Sequence, residues 1–347
     1  MSKKLLSLAL ATYNMEKYLS RCLDSVLVAE LLDKIEVIVV NDGSTDSTLS
    51  IMQQYREKYP QAVVIVDKPN GHYGSCINAA LKIATGKYFR PLDPDDWFDS
   101  QNFIQFVEIL SKTDADIVFS NYSKEYNNGV SKTVISNASA ITPMLEYATD
   151  TFDFKNNKLE NMLMLPCMTY KARILQDMNF YQQEGIAYTD IEYCFYPLSF
   201  AKSFIYVDLV LYKYYIGRAG QTVAVSSMLK NKEHSRKVVS RMVEYCRQNV
   251  TLNAPQKRIL QQNLQYFYVI ILVLQKKLKK DVQYLSDIDS WLKDYSPEIY
   301  KDMNHYSVFL VVKFIKLWRK YGIYISKFCG KFLYRTQKKM DFLVKGK

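Results

Sequence analysis

The sequence predicts an α/β protein, a mainly parallel Rossmann-like sheet flanked by helices and followed by a helical, basic C-terminal region. Three observations carry that prediction. Short apolar or β-branched runs alternate with amphipathic stretches over residues 5–120, the pattern of βαβ units. Polar clusters rich in Asp, Asn and Thr follow those runs, where a parallel sheet binds its ligands. Charge is unevenly divided: residues 227–347 hold 25 Lys and Arg against 9 Asp and Glu, leaving 21 against 26 for residues 1–226.

The elements read in order as follows. Leu5–Ala11 is an apolar strand ending at Thr12-Tyr13-Asn14, and an amphipathic helix follows from about Tyr18 to Ala29. Ile35–Val40 is nearly continuous and β-branched, as in a strand buried on both faces. It stops at Asn41-Asp42-Gly43-Ser44-Thr45-Asp46, where Ser44 is the expected N-cap of a helix running to about Lys58. Val63–Val66 is a third strand, Asp67–Gly71 a loop, Ser75–Ala84 a helix, and Tyr88–Leu92 a fourth strand that delivers Asp93-Pro94-Asp95-Asp96-Trp97. A helix over Asn102–Ser111, a strand over Asp116–Ser120, a hairpin turning at Asn127-Asn128-Gly129 and a strand over Tyr206–Tyr212 complete the first region. Ile216–Thr222 is then a Gly-flanked loop carrying Arg218.

Beyond Ser226 Gly and Pro become rare and Lys and Arg frequent, so the boundary is set there: 1–225 a catalytic or binding domain, 226–347 a helical basic domain. The length, 347 residues, agrees with two folded units. With 48% apolar and 23% charged residues, a sizeable core is expected and predominant disorder is excluded. Six scattered cysteines form no Cys-x-x-Cys pair and no zinc site, and read as reduced, mostly buried thiols. The N-terminal apolar run is too short for a signal peptide, and no run reaches the roughly 18 to 20 apolar residues of a membrane span. Tyr266–Leu274 is expected to be a buried helix, and the protein to be cytoplasmic.

Neither G-x-G-x-x-G nor G-x-x-x-x-G-K-[ST] occurs, which argues against a dinucleotide enzyme or a P-loop NTPase. A nucleotide would have to be held by side chains at strand ends. Asp42 can accept from a base N–H, and Thr12, Asn14 and Asn70 can meet base or ribose; each is otherwise an ordinary turn or cap residue. Asp93, Asp95 and Asp96 offer hard oxygen ligands for Mg2+ or Mn2+, whose other positions a diphosphate can fill; the alternative is an acidic surface turn. Arg218 can place a second cation on that diphosphate, or be a surface loop arginine.

Five stretches together resemble the ordered motifs of family 2 glycosyltransferases, inverting enzymes of the GT-A fold. They are Ala11–Asn14, Val39–Asp46, Asn70-Gly71 to Asn78, Ala84–Tyr88 and Leu92–Trp97. The resemblance weakens after about residue 225. It implies a nucleotide-sugar donor, most often UDP-linked, and a divalent metal, Mn2+ or Mg2+. It places Thr12, Tyr13, Asn14, Asp42, Lys68, Asn70 and Asn78 on the nucleotide side and Asp93 and Asp95 beside ribose, metal and diphosphate. Asp96 and Trp97 would lie towards sugar and acceptor. The family's general base is usually the Asp of a Glu-Asp pair; here the pair is Thr189-Asp190, which makes Asp190 the candidate, with Glu192 two residues on. Ile77 stands where many members carry Arg, and His72-Tyr73 either substitute for it or are loop residues.

The implied function is a hexosyltransferase-type enzyme moving sugar to a hydroxyl of a glycan or lipid-linked acceptor, for cell-surface polysaccharide or glycolipid synthesis. The alternatives are a non-catalytic sugar-nucleotide-binding or scaffold protein of the same fold, or a nucleotidyltransferase, which would need a Gly-rich basic loop after the first strand. In Tyr306–Lys339, Lys313, Lys316, Lys320, Lys327, Lys331 and Lys338 recur at helical spacings among Phe and Tyr rings. Residues 305–347 therefore either lie on the anionic inner face of the cell membrane, as a peripheral anchor, or pack as a helical subdomain. No nucleic-acid motif accompanies the charge, so nucleic acid is not an expected partner; a homo-oligomer stays open.

Overall fold

The computed structural model describes residues 4–126, 132–149, 159, 162–218, 221, 225–248, 252–274, 278–302 and 315–320. The chain divides into two compact units, Met1–Arg218 and Ala219–Lys347.

The first unit is built on one sheet in which β1 (Leu6–Thr12), β2 (Ile35–Asp42), β3 (Val63–Lys68) and β4 (Tyr88–Pro91) lie in the order β3-β2-β1-β4, all parallel. Every residue of β2 is buried, as its unbroken apolar run requires. Between the strands run α1 (Leu19–Val26), α2 (Thr48–Lys58) and α3 (His72–Ile83). α1 buries Leu19, Cys22, Leu23 and Val26, one stripe at helical spacing.

Past β4 come β5 (Trp97–Phe98), α4 (Ser100–Lys112), β6 (Ile117–Tyr126), β7 (Lys132–Ile135), β8 (Glu146–Ala148), β9 (Met168–Lys171), α5 (Ala172–Asp177), α6 (Asp190–Phe195) and β10 (Ser203–Ile216). Asp99 caps α4 by accepting the Asn102 N–H at 3.2 Å, and Phe103, Phe106, Val107 and Leu110 form its buried stripe. The sheet continues β4-β9-β6-β10-β5. β9 runs against both its neighbours, and β6 and β10 again run with β1 to β4. Six strands thus share one direction, the mainly parallel arrangement expected, while β5, β7, β8 and β9 run the other way. β6 pairs with β10 through two register shifts, between Val207 and Val210 and between Val210 and Tyr212. Such bulges bend a strand and re-aim its side chains, and Tyr212 lies immediately beyond them.

Several local expectations are corrected. Ser47, not Ser44, is the N-cap residue of α2; the Ser44 hydroxyl instead accepts the Asn14 N–H. His72 and Tyr73 are the first two residues of α3 rather than loop residues. β6 and β10 extend well beyond the expected strands because they pair with each other over most of their length. The pairing Tyr122 to Ile135 agrees with a hairpin, whose Asn127-Asn128-Gly129 turn lies outside the described residues.

The second unit holds α7 (Val225–Lys230), α8 (Lys232–Arg247), α9 (Ala254–Leu274), α10 (Leu278–Tyr295) and α11 (Pro297–Asp302). α8 buries Val238, Val239, Met242 and Val243, while α9 buries Ile259, Leu260, Leu264, Phe267 and Tyr268 but exposes Tyr266. Asp289 accepts hydrogen bonds from Tyr268, Tyr300 and Arg319, a shared anion for three elements. Among the described residues no helix is long and apolar enough to cross a membrane. The segment Tyr306–Lys339 lies outside the described residues except for 315–320. Cys22, Cys76, Cys167 and Cys194 are buried free thiols, as expected, and Cys246 is half-buried.

Candidate active site

Because β1 to β4 are parallel and adjacent, their carboxyl ends bring Thr12–Asn14, Asp42–Asp46, Asp67–Gly71 and Asp93–Asp96 to one edge of the sheet. The β2 end is organised by Asp42, which is 3% exposed. Its carboxylate accepts the Lys68 ammonium and the Gly71 N–H, the latter at 2.8 Å, and its backbone carbonyl accepts the Asn70 amide at 2.9 Å. Asn14 sits at φ +53° and its side-chain oxygen accepts the Thr45 N–H at 2.8 Å. Tyr13 is exposed beside it. Thr12 is not turned to the cleft: its buried hydroxyl donates to the Val40 carbonyl at 2.6 Å and fastens β1 to β2.

At the β4 end, Asp93, Asp95 and Asp96 can bring one carboxylate oxygen each within 4.8 Å of the others. Asp96 is 1% exposed; one oxygen accepts the Tyr212 phenol at 2.6 Å and the other the Tyr215 N–H at 2.7 Å. Asp95 forms an ion pair with Arg218. Burial, with the charges of Asp95 and Asp190, pushes the Asp93 carboxyl up to about 8, although Arg218 opposes the shift. Burial and the charges of Asp95 and Asp93 raise Asp96 as well. Carboxylates this crowded and desolvated are suited to share a cation. The hard oxygen donors of Asp93 and Asp95 fit Mg2+ or Mn2+, whereas Asp96 already has both oxygens engaged.

Trp97 is packed by Arg21, whose guanidinium lies 3.8 Å from the indole centroid and 4.9 Å from that of Tyr215, and which donates to the Asp95 carbonyl at 2.6 Å. Arg21, Tyr212 and Tyr215 were not singled out by the sequence; they lie 74, 116 and 119 residues from the carboxylates or carbonyl they hold. The cluster Tyr212-Lys213-Tyr214-Tyr215 in β10 is the one signal that could have found two of them.

Asp190 is the first residue of α6. Desolvation raises its carboxyl to about 6, the amides of Asp190 and Ile191 acting the other way and Glu192 adding to the rise. Glu192 is fully buried, and its two oxygens accept the backbone N–H and the side-chain amide of Gln183, both at 2.8 Å. That arrangement separates the two acids: Glu192 ties down the preceding loop, whereas the Asp190 charge acts on Asp93. Asn78 belongs to the same support. Its amide donates to the Gln182 carbonyl at 2.9 Å and to Glu184 at 3.0 Å, and its oxygen accepts the Gln182 N–H at 2.9 Å. Ile77 is fully buried in the core. Gly74 allows α3 to meet this loop, since a Cβ there would stand 2.2 Å from the Gln183 carbonyl oxygen.

The fold and its acidic strand-end site define a GT-A type α/β protein. Residues 7–178 match Glycosyl transferase family 2, and the chain belongs to that family. It is 36% identical over 132 residues to a poly(ribitol-phosphate) beta-glucosyltransferase of Bacillus spizizenii, a match covering 37% of this chain and 21% of the relative. It is 28% identical over 218 residues to the putative glycosyltransferase EpsH of Bacillus subtilis, covering 60% of each. In both cases the match spans less than two thirds of the relative's length. Among solved structures, S. aureus TarS 1-349 in complex with UDP-GlcNAc superposes with a TM-score of 0.62 at 20% identity, over 85% of this chain and 82% of that one. The mannosyltransferase PcManGT from Pyrobaculum calidifontis, in complex with GDP-Man and Mn2+, superposes at 0.50 and 16% identity over 92% and 89%. These likenesses bear on the fold.

Proposed function

We propose that the protein is an inverting glycosyltransferase that moves a sugar from a nucleotide diphosphate donor, most readily a UDP-sugar, to a hydroxyl of a glycan or lipid-linked acceptor in cell-surface polymer synthesis. The observation that carries the reading is the placement of Asp190: a desolvated carboxylate beside the Asp93 and Asp95 cluster, with the neighbouring Glu192 already consumed by Gln183. Two relatives, one named a poly(ribitol-phosphate) beta-glucosyltransferase and the other the minor teichoic acid biosynthesis protein GgaB, support the choice of a cell-surface acceptor.

In this reading Asp42 and Asn70 bind the base and ribose edge, with Lys68 held against Asp42 and Tyr13 and Asn14 at the rim. Asp93 and Asp95 would hold Mn2+ or Mg2+, which when bound neutralises charge on the diphosphate. Arg218, at the same carboxylates, adds a cation for the departing diphosphate. Asp190 takes the proton of the acceptor hydroxyl as its oxygen attacks the anomeric carbon from the face opposite the diphosphate, so configuration inverts. Thr12, Asn78 and Asp96 position the elements around this centre rather than touch substrate. Residues 1–225 form the catalytic domain. The basic 226–347 region faces an anionic partner, the inner membrane surface being the partner its lysine-rich segment best matches.

The test is a panel of nucleotide sugars with Mn2+, scored for binding by thermal shift and for nucleoside diphosphate release. Release with one donor supports the transferase. Binding with no release, for every acceptor class tried, returns the protein to a sugar-nucleotide-binding role.

A further inference from the structure

The candidate active site occupies the carboxyl ends of β1 to β4. At their amino ends lies a cavity of about 870 Å3, walled by the start of β2, the end of α2, the turn that leads into β4 and the junction of β9 with α5. β1 is seven residues long, so at about 3.3 Å per residue the two edges are roughly 20 Å apart. A cavity of this size takes a small organic molecule.

Its wall is mostly cationic. Lys4, Arg56, Lys87, Lys171 and Arg173 line it, against Asp33 and Glu36. Three of the cations are already matched: Lys87 and Lys171 share the Asp114 carboxylate at 3.2 and 2.7 Å, and Arg173 pairs with Asp177 at 3.1 Å. Lys4 and Arg56 meet backbone carbonyls instead. The Lys4 ammonium donates to Leu32 at 2.9 Å, and Arg56 uses Nη1 alone, on Pro60 at 2.6 Å and on Val63. Carbonyls hold these two cations in place without neutralising them. The Arg56 Nε and Nη2 and the rest of the Lys4 ammonium stay available as donors, and neither side chain is closed to solvent.

Glu36 adds an acceptor of fixed position. It is 6% exposed, and its Oε1 accepts the Ser7 hydroxyl at 2.5 Å and the Thr85 N–H at 2.6 Å. Ser7 Oγ in turn accepts the Gly86 N–H at 2.9 Å, an approach that requires glycine, since a Cβ there would stand 2.6 Å from that oxygen. Glu36 Oε2 has no partner among the described residues, yet keeps contact with solvent, and Glu36 belongs to the cavity wall. Two cations without a carboxylate suit a phosphate, and a carboxylate oxygen held beside them suits a hydroxyl.

We infer that this cavity binds a phosphorylated polyol or sugar, with the phosphate on Arg56 and Lys4 and a hydroxyl on Glu36 Oε2. The site lies at the opposite edge of the sheet from Asp93 and Asp95 and does not depend on the transferase reading. A small phosphate ester and one unit of a phosphodiester-linked polymer offer the same groups.

The test is calorimetry of the full chain in metal-free buffer with glycerol 3-phosphate, inorganic phosphate and glycerol. Glycerol 3-phosphate should bind more tightly than inorganic phosphate, and glycerol should not bind. Loss of a charge-assisted contact predicts roughly ten- to a hundredfold weaker binding of glycerol 3-phosphate to Arg56→Gln and to Lys4→Gln. Lys4→Gln keeps the test open should Arg56→Gln, which also loses its carbonyl contacts, fail to fold. Lys58→Gln, the same charge change on α2 outside the cavity wall, and Arg218→Gln, at the other edge, should bind as the unaltered protein does. A glycerol-phosphate oligomer separates the two sources: tighter binding than the monomer supports a polymer, equal binding a small ester. No binding of glycerol 3-phosphate, or undiminished binding by Arg56→Gln and Lys4→Gln, overturns the inference. Weakening in Arg218→Gln overturns it by placing the phosphate at the acidic edge, and equal weakening in Lys58→Gln reduces the effect to net charge. Equal affinity for inorganic phosphate and glycerol 3-phosphate removes the role of Glu36 and with it the polyol.

Discussion

Arg218 and Asp95, 123 residues apart in sequence, form an ion pair at the acidic end of β4, with side chains 18% and 10% exposed. The pair joins the segment after β10 to the turn that carries Asp93, Asp95 and Asp96, and it supplies positive charge where three carboxylates crowd.

Arg218→Ala therefore leaves that cluster short of a cation. Without metal, the variant is expected to melt several degrees below the unaltered protein, because a partly buried carboxylate loses its partner. Saturating Mn2+ should raise its melting temperature by more than it raises that of the unaltered protein, because metal and guanidinium compete for Asp95. Scanning calorimetry at increasing Mn2+ checks this. Equal metal-induced gains in the two proteins would mean that Arg218 and the metal do not share the carboxylate.

Asp190→Asn removes the candidate base with almost no change in shape. Transfer should fall about 10²- to 10⁴-fold, while donor affinity stays within about twofold. Glu192→Gln should behave differently: it weakens the buried contacts with Gln183 and lowers stability by about 1–3 kcal/mol while retaining measurable transfer. Initial rates and chemical denaturation of the two variants separate chemistry from support. Full transfer in Asp190→Asn refutes the base assignment.

The raised carboxyl of Asp190, about 6 against an ordinary 3.8, has two consequences with opposite signs. The base works deprotonated, so kcat/KM should drop about tenfold per pH unit below about pH 6, where an unperturbed carboxylate would hold activity to about pH 4. For stability, the folded state binds the proton more tightly than the unfolded chain does. The contribution is thus fully present below about pH 4 and lost as pH rises through about 6, worth up to about 3 kcal/mol. Asp190→Asn should accordingly be more stable than the unaltered protein at pH 8 and no more stable at pH 4. Paired pH–rate and pH–stability profiles check both; an acid limb at pH 4 counts against the assignment.

The order of the first four strands and their acidic ends was legible because each element is local: an apolar run, a turn-forming polar cluster, an amphipathic helix. Asp93 and Asp95 were legible as candidates for the same reason, as acids at a strand end, whereas Asp190 was a candidate only through the family resemblance. Their surroundings were not. Asp96 is held by Tyr212 and Tyr215 only because β10 pairs with β6 through two register shifts, and no local pattern announces a bulge. β5 is two residues long and exists by pairing with β10. Thr12 and Asn78 look like ligand residues in sequence, yet tertiary contacts to Val40 and to Gln182 and Glu184 claim their polar atoms.

The excess of positive charge in residues 227–347 predicts salt-sensitive binding to anionic surfaces. The full chain should co-sediment with vesicles containing phosphatidylserine or cardiolipin and not with pure phosphatidylcholine, and should be released at about 0.5 M salt, where the screening length is only a few ångström. Equal partitioning onto both vesicle types, or onto neither, argues instead for a packed helical region.

Gly74→Ala tests whether the approach of α3 to the 182–185 loop sets the site. A Cβ at this position would meet the Gln183 carbonyl oxygen at 2.2 Å and its carbonyl carbon at 3.1 Å. These are backbone atoms, which cannot rotate away as a flexible side chain would. The loop must move, and it is the loop that Asn78 and Glu192 tie to α3 and α6. Overpacking of this kind costs about 1–3 kcal/mol, and the displacement should reach Asp190, lowering kcat as well as stability. Gly185→Ala is the control in the same loop: φ is +74° but nothing lies within 4 Å of the added Cβ, so about 1 kcal/mol of backbone strain is expected with little change in kcat. Thermal unfolding and single-turnover rates of the two variants decide the matter. If Gly74→Ala keeps its full turnover rate, the close contact between α3 and the loop is a matter of packing alone and does not position the base.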